Sequence, residues 1–307
     1  MILSVIVGAV DDPHVQAVLE RTDCRVVVLD AASLSKIPYA FRDRGLTLPD
    51  TEGKLVTISP DSDIRGWIRR IAPADWMMGV SGESQIAAIK ASWLTLLTAI
   101  IRTTGVHWLS NIDEIVRAEN KLVVDACARE LAIPMPRTVV SNQVECLQDF
   151  ATDAIVKPLG PGHFIEEEDS FTVFAQTVKI QDLKLHDLSV SPFLFQERLL
   201  ALRHFRIVTV KDIISGATLE NEGLPDDWRM APEAHSSFKA REIPESLGVM
   251  AKSVASNLGL GYSSQDWVET TDGYFLLDVN PGGQWLFLPA PCSEPVSSEI
   301  ARWLNER

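Results

Sequence analysis

The stretch SQDWVETTDGYFLLDVN, Ser264 to Asn280, decides how this chain is read. Two runs rich in apolar and β-branched residues flank a turn at Thr271, Asp272 and Gly273, where glycine supplies the left-handed backbone of a hairpin. A three-residue loop sets Thr270 against Tyr274, and counting back from there pairs Asp266 with Asp278. Two carboxylates then stand about 5 Å apart on one face. Asn280 shares that face, while Leu277 and Val279 turn to the core, because strand side chains alternate with period two. Like charges directly opposite each other destabilise a sheet, so the pair calls for a neutralising partner. A hard divalent cation such as Mg²⁺ suits two carboxylates and an amide oxygen and leaves positions for phosphate oxygens. A solvated acidic face on a hairpin with a longer loop is the plain alternative.

Upstream of the hairpin, RHFRIVTV (203–210) and GATLE (216–220) read as strands around a KDIISG turn. A loop follows through EGLPDDWRMAPEA, then an amphipathic helix in ESLGVMAKSVASNLGL (245–260); EPVSSEIARWLNER (294–307) closes the chain as a helix. A separate unit begins at NIDEIVRAENKLVVDACARELAIPMPRTVVS. There Leu122, Val123, Ala126, Cys127 and Leu131 recur at helical spacing, and Pro134 and Pro136 end the helix before a strand. DAIVKPLG, SFTVFAQ and PFLFQERLL are strand candidates within it. The first third reads as strand (2–9), helix (HVQAVLERT) and strand (CRVVVLD), an α/β beginning. LVTI (55–58), GWIRRI (66–71) and VHWLS are further strands, and 84–102 is a long apolar helix. Three units result, 1–111, 112–195 and 196–307, of mixed α/β (α+β) class. No G-x-G-x-x-G follows the first strand, which leaves a dinucleotide site without support.

The 307 residues hold 28 Lys and Arg against 42 Asp and Glu, a net charge of −14. A long phosphate backbone or an anionic membrane surface is repelled by such a chain, so neither nucleic acid nor membrane is an expected partner. The N-terminal MILSVIVGAV lacks a basic region and a cleavage site and reads as a first strand. No run of 18 apolar residues occurs. Cys24, Cys127, Cys146 and Cys292 are scattered without metal-ligand spacing, as in a reduced, cytoplasmic protein.

Lys157 ends the apolar strand AIVKPLG, where a lysine either escapes to solvent or meets an anion. The GPGHF turn after it is equally suited to a phosphate or to an ordinary tight bend. Lys121, near the start of its helix, is ambiguous in the same way, and EEED (166–169) reads as a short solvated run. Arg206 in HFRIVTV and Arg229 in DDWR are each either surface residues or planar forks for a phosphate or carboxylate.

Taken together these motifs resemble the ATP-grasp carboxylate–amine ligases, and within them the microviridin-type (graspetide) ribosomal peptide maturases, over most of 108–307. NIDEIVRAENKLVVDACARELAIPMPRTVVSN resembles that family's entry to its central domain, with Lys121, and IVKPL resembles the strand of the second nucleotide lysine, Lys157. FQERL resembles the hinge beside adenine, and LGYSSQDWVETTDGYFLLDVNPGGQW the magnesium hairpin. RHFRIVTV and DWR resemble the arginine-bearing strand and loop, and GWIRRIAPADW is similar to the family's W-x-R-R strand. The chain departs from the pattern at Asp278, where the family has Glu, at His204, where an acidic residue is common, and in its short glycine loop.

The resemblance implies an ATP-grasp fold: an N-terminal pre-ATP-grasp domain and two subdomains that clamp ATP. It implies ATP and Mg²⁺ as cofactors. Lys121 and Lys157 would hold the phosphates, Gln196, Glu197, Arg198 and Leu199 would meet adenine, and Asp266, Asp278 and Asn280 would hold one or two Mg²⁺. A substrate carboxylate would attack the γ-phosphorus to give an acyl phosphate, and a hydroxyl or amine would displace phosphate, leaving an ester or amide. Arg206 and Arg229 are the catalytic candidates for steadying the charge that develops. The implied partner is a precursor peptide whose leader docks on the central domain, and a homodimer is compatible with the reading. Competing readings are a ligase that joins free amino acids or adds glutamate to a protein, and a silent peptide- or nucleotide-binding module.

Overall fold

The computed structural model describes residues 3–50, 53–71, 84–150, 152–160, 163–166, 169–184, 188 and 191–306. The first unit is built on a parallel sheet of β1 (Leu3–Val7), β2 (Arg25–Leu29), β6 (Arg65–Ile68) and β7 (His107–Trp108), in the order β2-β1-β6-β7. Both faces of this sheet are covered, which explains the continuous apolar runs of β1 and β2. Helix α1 (Pro13–Leu19) starts where Asp12 accepts a hydrogen bond from His14 N and Pro13 takes the first position. After α2 (Ala31–Leu34), β3 (Ala40–Arg42) and β4 (Gly45–Pro49) join the single strand expected there, β5 (Leu55–Ile58), in a small antiparallel sheet with β5 at its edge. Helix α3 (Ser84–Thr103) packs Leu97, Ile100 and Ile101 into the core. Its stretch Gln85–Thr103 is long and apolar enough to cross a bilayer by composition, with mean hydropathy 1.4, although Lys90 interrupts it.

Helices α4 (Ile112–Ala118) and α5 (Lys121–Glu130) lead into the middle unit. Asn120 caps α5 by accepting from Leu122 N and Val123 N, which makes Lys121 the first helical residue and fixes where its side chain emerges. The middle sheet is antiparallel, in the order β12-β9-β13-β8: β8 (Thr138–Val140), β9 (Asp153–Pro158), β12 (Gln176–Lys179) and β13 (Phe193–Glu197). It encloses its own small core of Leu147, Phe150, Ala154, Leu188 and Phe195. The single strand expected at 170–176 is divided in two. Its first part belongs to β11 (Asp169–Thr172), paired with β10 (His163–Glu166), and Gln176 opens β12. Between them the backbone leaves the ladder, because Ala175 N donates to the Asp227 side chain at 3.0 Å. β13 lies wholly in the middle sheet, and the chain passes from it to the next sheet along 198–202.

The third unit is a five-stranded antiparallel sheet in the order β16-β15-β14-β17-β18. Its strands are β14 (Arg203–Val210), β15 (Ile213–Glu220), β16 (Lys239–Ala240), β17 (Tyr262–Thr270) and β18 (Gly273–Asn280). Helix α6 (Glu245–Asn257) covers one face through Leu247, Ala251 and Val254, packed with Phe205, Ile207 and Trp267. Helix α7 (Ala290–Asn305) packs Val296, Ile300 and Leu304 into a second cluster with Ile6, Trp67, Val208 and Trp285, which ties this sheet to the first unit.

The β17–β18 hairpin departs from the expected turn. Thr270 pairs with Gly273, so the loop has two residues, Thr271 and Asp272, and Gly273 takes φ 119°. That register alone would set Asp266 against Leu277. A bulge between Asp266 and Trp267 on one strand and Leu276 and Asp278 on the other leaves Leu277 unpaired and restores the Asp266–Asp278 pair. Strict alternation breaks there: Leu276 is fully buried, Val279 stays in the core, and Leu277 lines the cavity instead of facing the core as expected.

Candidate functional site

A cavity of about 490 Å³ opens where the three units meet. β9 and β13 supply Lys157, Gln196 and Glu197, and the connection after β13 supplies Arg198 and Leu199. β17 and β18 supply Asp266, Leu277, Asp278 and Asn280, α5 supplies Lys121, the 221–230 loop supplies Asp227 and Arg229, and the first unit supplies Arg69 and Arg70. Ten of the eleven candidate site residues read from the sequence therefore line one cavity. Arg206 is the exception. It is 8% exposed and stands behind Asp266, its partner in the β14–β17 register.

The two facing carboxylates are balanced by different cations. Arg206 Nη1 donates to both oxygens of Asp266, at 2.8 Å each, and its Nη2 donates to Gln284 O at 3.4 Å. Lys121 Nζ lies 3.8 Å from Asp278 Oδ2. The neutralisation the sequence called for is thus met in part by the chain itself, and Arg206 reaches the cavity through Asp266. Asn280 Oδ1 accepts from Gly282 N at 3.0 Å. Lys157 is half-buried on β9, opposite Leu194. Burial pushes its ammonium pKa down; Asp278 opposes that and the nearby Lys121 reinforces it. The half-buried ammonium thus stands beside a second lysine, with Asp278 as the carboxylate that opposes the burial shift.

Gln196 is buried and donates through Nε2 to Thr138 Oγ1 at 3.0 Å, while Glu197 accepts from Arg137 N at 3.1 Å. Arg198 Nε is held by both oxygens of Asp226, at 3.0 and 2.9 Å. Arg229 makes a fork with Asp227, Nε to Oδ1 at 2.8 Å and Nη2 to Oδ2 at 2.6 Å. Burial works to raise the Asp227 pKa, but the hydrogen bonds and charge of Arg229 hold it below the ordinary carboxylate range. His204 also lines the cavity; its Nε2 lies 2.9 Å from Asn221 Oδ1, whose amide nitrogen donates to Ala201 O at 3.0 Å. Burial lowers the His204 pKa and favours neutral imidazole.

The donor set fits magnesium in kind: two opposed carboxylates and one amide oxygen, all hard ligands, with two lysines lining the same cavity. Among the described residues no group of three His, Cys, Asp or Glu could enclose a metal by itself, so phosphate and water oxygens would have to complete its shell. The GPGHF turn lies partly outside the described residues, at Pro161 and Gly162, as do Glu167 and Glu168 of EEED and Trp76 of GWIRRIAPADW. The sequence reading passed over Asp12 and His14, the Asp226–Asp227 pair that holds two arginines, and Thr138 beneath Gln196. Only the acidic pair carried a visible signal, standing directly before Trp228 and Arg229.

No model of a known protein family matches the sequence. A tetrahydromethanopterin:α-L-glutamate ligase of Methanocaldococcus jannaschii is 25% identical over 186 residues, which span 57% of this chain and 62% of that protein. Among solved structures, a RiPP-associated ATP-grasp ligase of Chryseobacterium gregarium, in complex with ADP and a leader and core peptide, superimposes with a TM-score of 0.84 at 19% identity. That superposition covers 99% of this chain and 96% of that one. The macrocyclase MdnC of Microcystis aeruginosa MRC, bound with the precursor peptide MdnA, gives 0.80 at 20% identity over 99% of each chain. The ATP-grasp ligase PsnB, complexed with a minimal precursor, Mg and ADP, gives 0.73 at 20% identity over 99% of this chain and 98% of that one. Likeness of this extent along the whole chain settles the architecture: the chain has the ATP-grasp fold.

Proposed function

We propose that this protein is an ATP-dependent ligase that activates a side-chain carboxylate of a ribosomally made precursor peptide and closes it onto a hydroxyl or amine of the same peptide, releasing ADP and phosphate. The observation that carries the reading is the convergence of Lys121, Lys157, Asp266 and Asp278 on one cavity, with Lys121 Nζ 3.8 Å from Asp278. Three elements far apart in sequence bring opposite charges together there, in a geometry of little use to an unliganded protein.

In this reading Lys121 and Lys157 hold the phosphates, and Gln196 to Leu199 border the adenine. Asp266, Asp278 and Asn280 hold magnesium, which supplies neutralisation of phosphate charge when bound. Arg229, on the cavity wall, steadies the acyl phosphate and the tetrahedral species that follows; Arg206 fixes Asp266. Support for a peptide substrate comes from the solved ligases of the same fold that carry leader and core peptides. The match to a glutamate ligase favours a second reading, addition of glutamate to another acceptor. A cytoplasmic site of action accords with four free thiols.

ADP release measured with a leader-bearing peptide, with free amino acids and with neither separates the readings. The expected result is turnover with the leader-bearing peptide alone, with loss of one water per ring in the product mass. Turnover with free glutamate would move the assignment to the second reading, and ATP binding without turnover would leave a binding module.

A further inference from the structure

Beyond Asn280 the chain turns through Pro281, Gly282, Gly283 and Gln284, and this turn is gripped from the first unit. Arg69, 3% exposed at the end of β6, donates through Nη1 to Gly282 O and, at 3.4 Å, to Gly283 O. Its Nε donates to Asp12 Oδ2 at 3.2 Å. His14 Nε2 accepts from Trp285 N at 3.3 Å, which leaves the proton on Nδ1, 3.0 Å from Asp12 Oδ1. Tyr262 Oη donates to Gly283 O at 2.8 Å and Arg206 to Gln284 O. Three successive carbonyls, of Gly282, Gly283 and Gln284, are thus each held by a side chain, and the next N–H by His14.

The grip acts on the ligand set directly. Gly282 presents its N–H to Asn280 Oδ1 and its carbonyl to Arg69, so the Arg69 contact fixes the residue that orients the Asn280 amide. Gly283 leaves no slack: a Cβ there would lie 2.4 Å from Ser264 Cβ, on the strand next to the hairpin bulge. Asp12 completes the device. Burial alone would raise its pKa, but the His14 hydrogen bond and the Arg69 charge depress it far below the carboxylate range, so it stays an anion beneath the buried guanidinium.

We propose that Arg69, anchored by Asp12 and His14, is a positioning residue that keeps Asn280 in the cation-binding set of β18, so that the first unit tunes divalent-metal affinity across the domain junction. This rests on the assignment of Asp266, Asp278 and Asn280 to metal. Partners that orient metal ligands from outside the coordination sphere typically change affinity by roughly 10- to 100-fold, and a shift of that order is expected here.

The test is Mn²⁺ binding, followed by electron paramagnetic resonance in the presence of a non-hydrolysable ATP analogue, for wild type, Arg69→Ala, Arg69→Lys, His14→Ala and Asp278→Asn. Arg69→Ala should weaken Mn²⁺ binding by about tenfold or more, Arg69→Lys should recover part of the loss, and His14→Ala should fall between wild type and Arg69→Ala. In turnover the half-saturating Mg²⁺ should rise while peptide KM at saturating metal stays unchanged, a split that general loosening of the fold would not produce. If Arg69→Ala does not fold, His14→Ala and Arg69→Lys carry the comparison. Wild-type Mn²⁺ affinity in the folded Arg69 and His14 variants, with binding lost in Asp278→Asn, overturns the positioning role and leaves the metal site standing. Unchanged binding in Asp278→Asn removes the metal assignment, and the positioning role falls with it.

Discussion

Asp266 and Asp278 face each other across one hairpin, yet replacing each with asparagine should affect folding differently. Asp266 accepts two hydrogen bonds from an arginine that is 8% exposed, and Asp266→Asn leaves that guanidinium with one side-chain acceptor and a long bond to Gln284 O. Hydrogen bonds to charged groups contribute about 1.5–3 kcal/mol each, and removing one partner of a fully buried pair costs about 3–5 kcal/mol. The Asp266 side chain is 27% exposed, so a loss of about 2–3 kcal/mol is expected after allowing for solvent screening. Asp278 differs. Its side chain is 38% exposed and its cation is Lys121 at 3.8 Å, a pair of the kind that contributes about 0–1 kcal/mol. Asp278→Asn also relieves the repulsion from Asp266, so metal-free stability should change by no more than about 0.5 kcal/mol. Urea unfolding in the presence of EDTA, followed by tryptophan fluorescence, reads both; the buried Trp267 lies beside Asp266 in sequence. Both variants should lose ATP-dependent turnover. Equal destabilisation by the two substitutions would refute the division of partners, and near-normal turnover in either would sink the metal assignment.

Lys157→Met should remain folded and lose affinity for an ATP analogue in calorimetric titration, because it removes one of the two ammonium charges beside Asp278 that this reading assigns to the phosphates. For wild type, burial depresses the Lys157 pKa, so affinity should fall as pH rises through a value below that of an ordinary lysine. Stability should rise over the same window up to the unfolded value, since the unfolded chain there binds the extra proton. Phe195→Ala, at a fully buried position of the small middle core, should cost about 3–5 kcal/mol in that unit, seen as protease cleavage within 138–197 ahead of the rest of the chain. Gly283→Ala drives a methyl group into Ser264 and should cost about 1–3 kcal/mol by thermal melting; an unchanged melting temperature would show that the turn yields.

The acidic part of the site was legible because its chemistry is local in sequence, whereas Lys121, Lys157, Arg206, Arg229 and Gln196 to Leu199 were placed only by the family resemblance. Asp266, Asp278 and Asn280 sit on two strands joined by a short turn, so strand periodicity sufficed to bring them together. The count reached the right pair through the wrong turn: the loop is one residue shorter than expected, and the Leu277 bulge makes up the difference. Periodicity could not report Leu277 itself, since a bulge is set by what both strands must satisfy at once. The division of SFTVFAQ was hidden for a similar reason, as the backbone there answers to Asp227, some fifty residues on. Arg69 entered the sequence reading only as part of the GWIRRI strand and its W-x-R-R likeness, whereas Asp12 and His14 look like an ordinary helix start, which they also are. Their second role exists only once α1 and the Pro281–Gln284 turn are neighbours.

The bulge also separates the tip of the β17–β18 hairpin from its base. The register around Asp266 is set from the Asn280 end, where the strand is clamped, and any mismatch in turn length is absorbed at Leu277 before it reaches the acidic pair. Recruiting Gly273 as a third turn residue would make the turn length match the ladder with no bulge, and the same two carboxylates would still face each other. The exposed tip is therefore the place where the chain tolerates a spliced reporter or a sequence drifting over time, while deletion of Val279 against the clamped Asn280 end would turn Asp278 inward, away from Asp266.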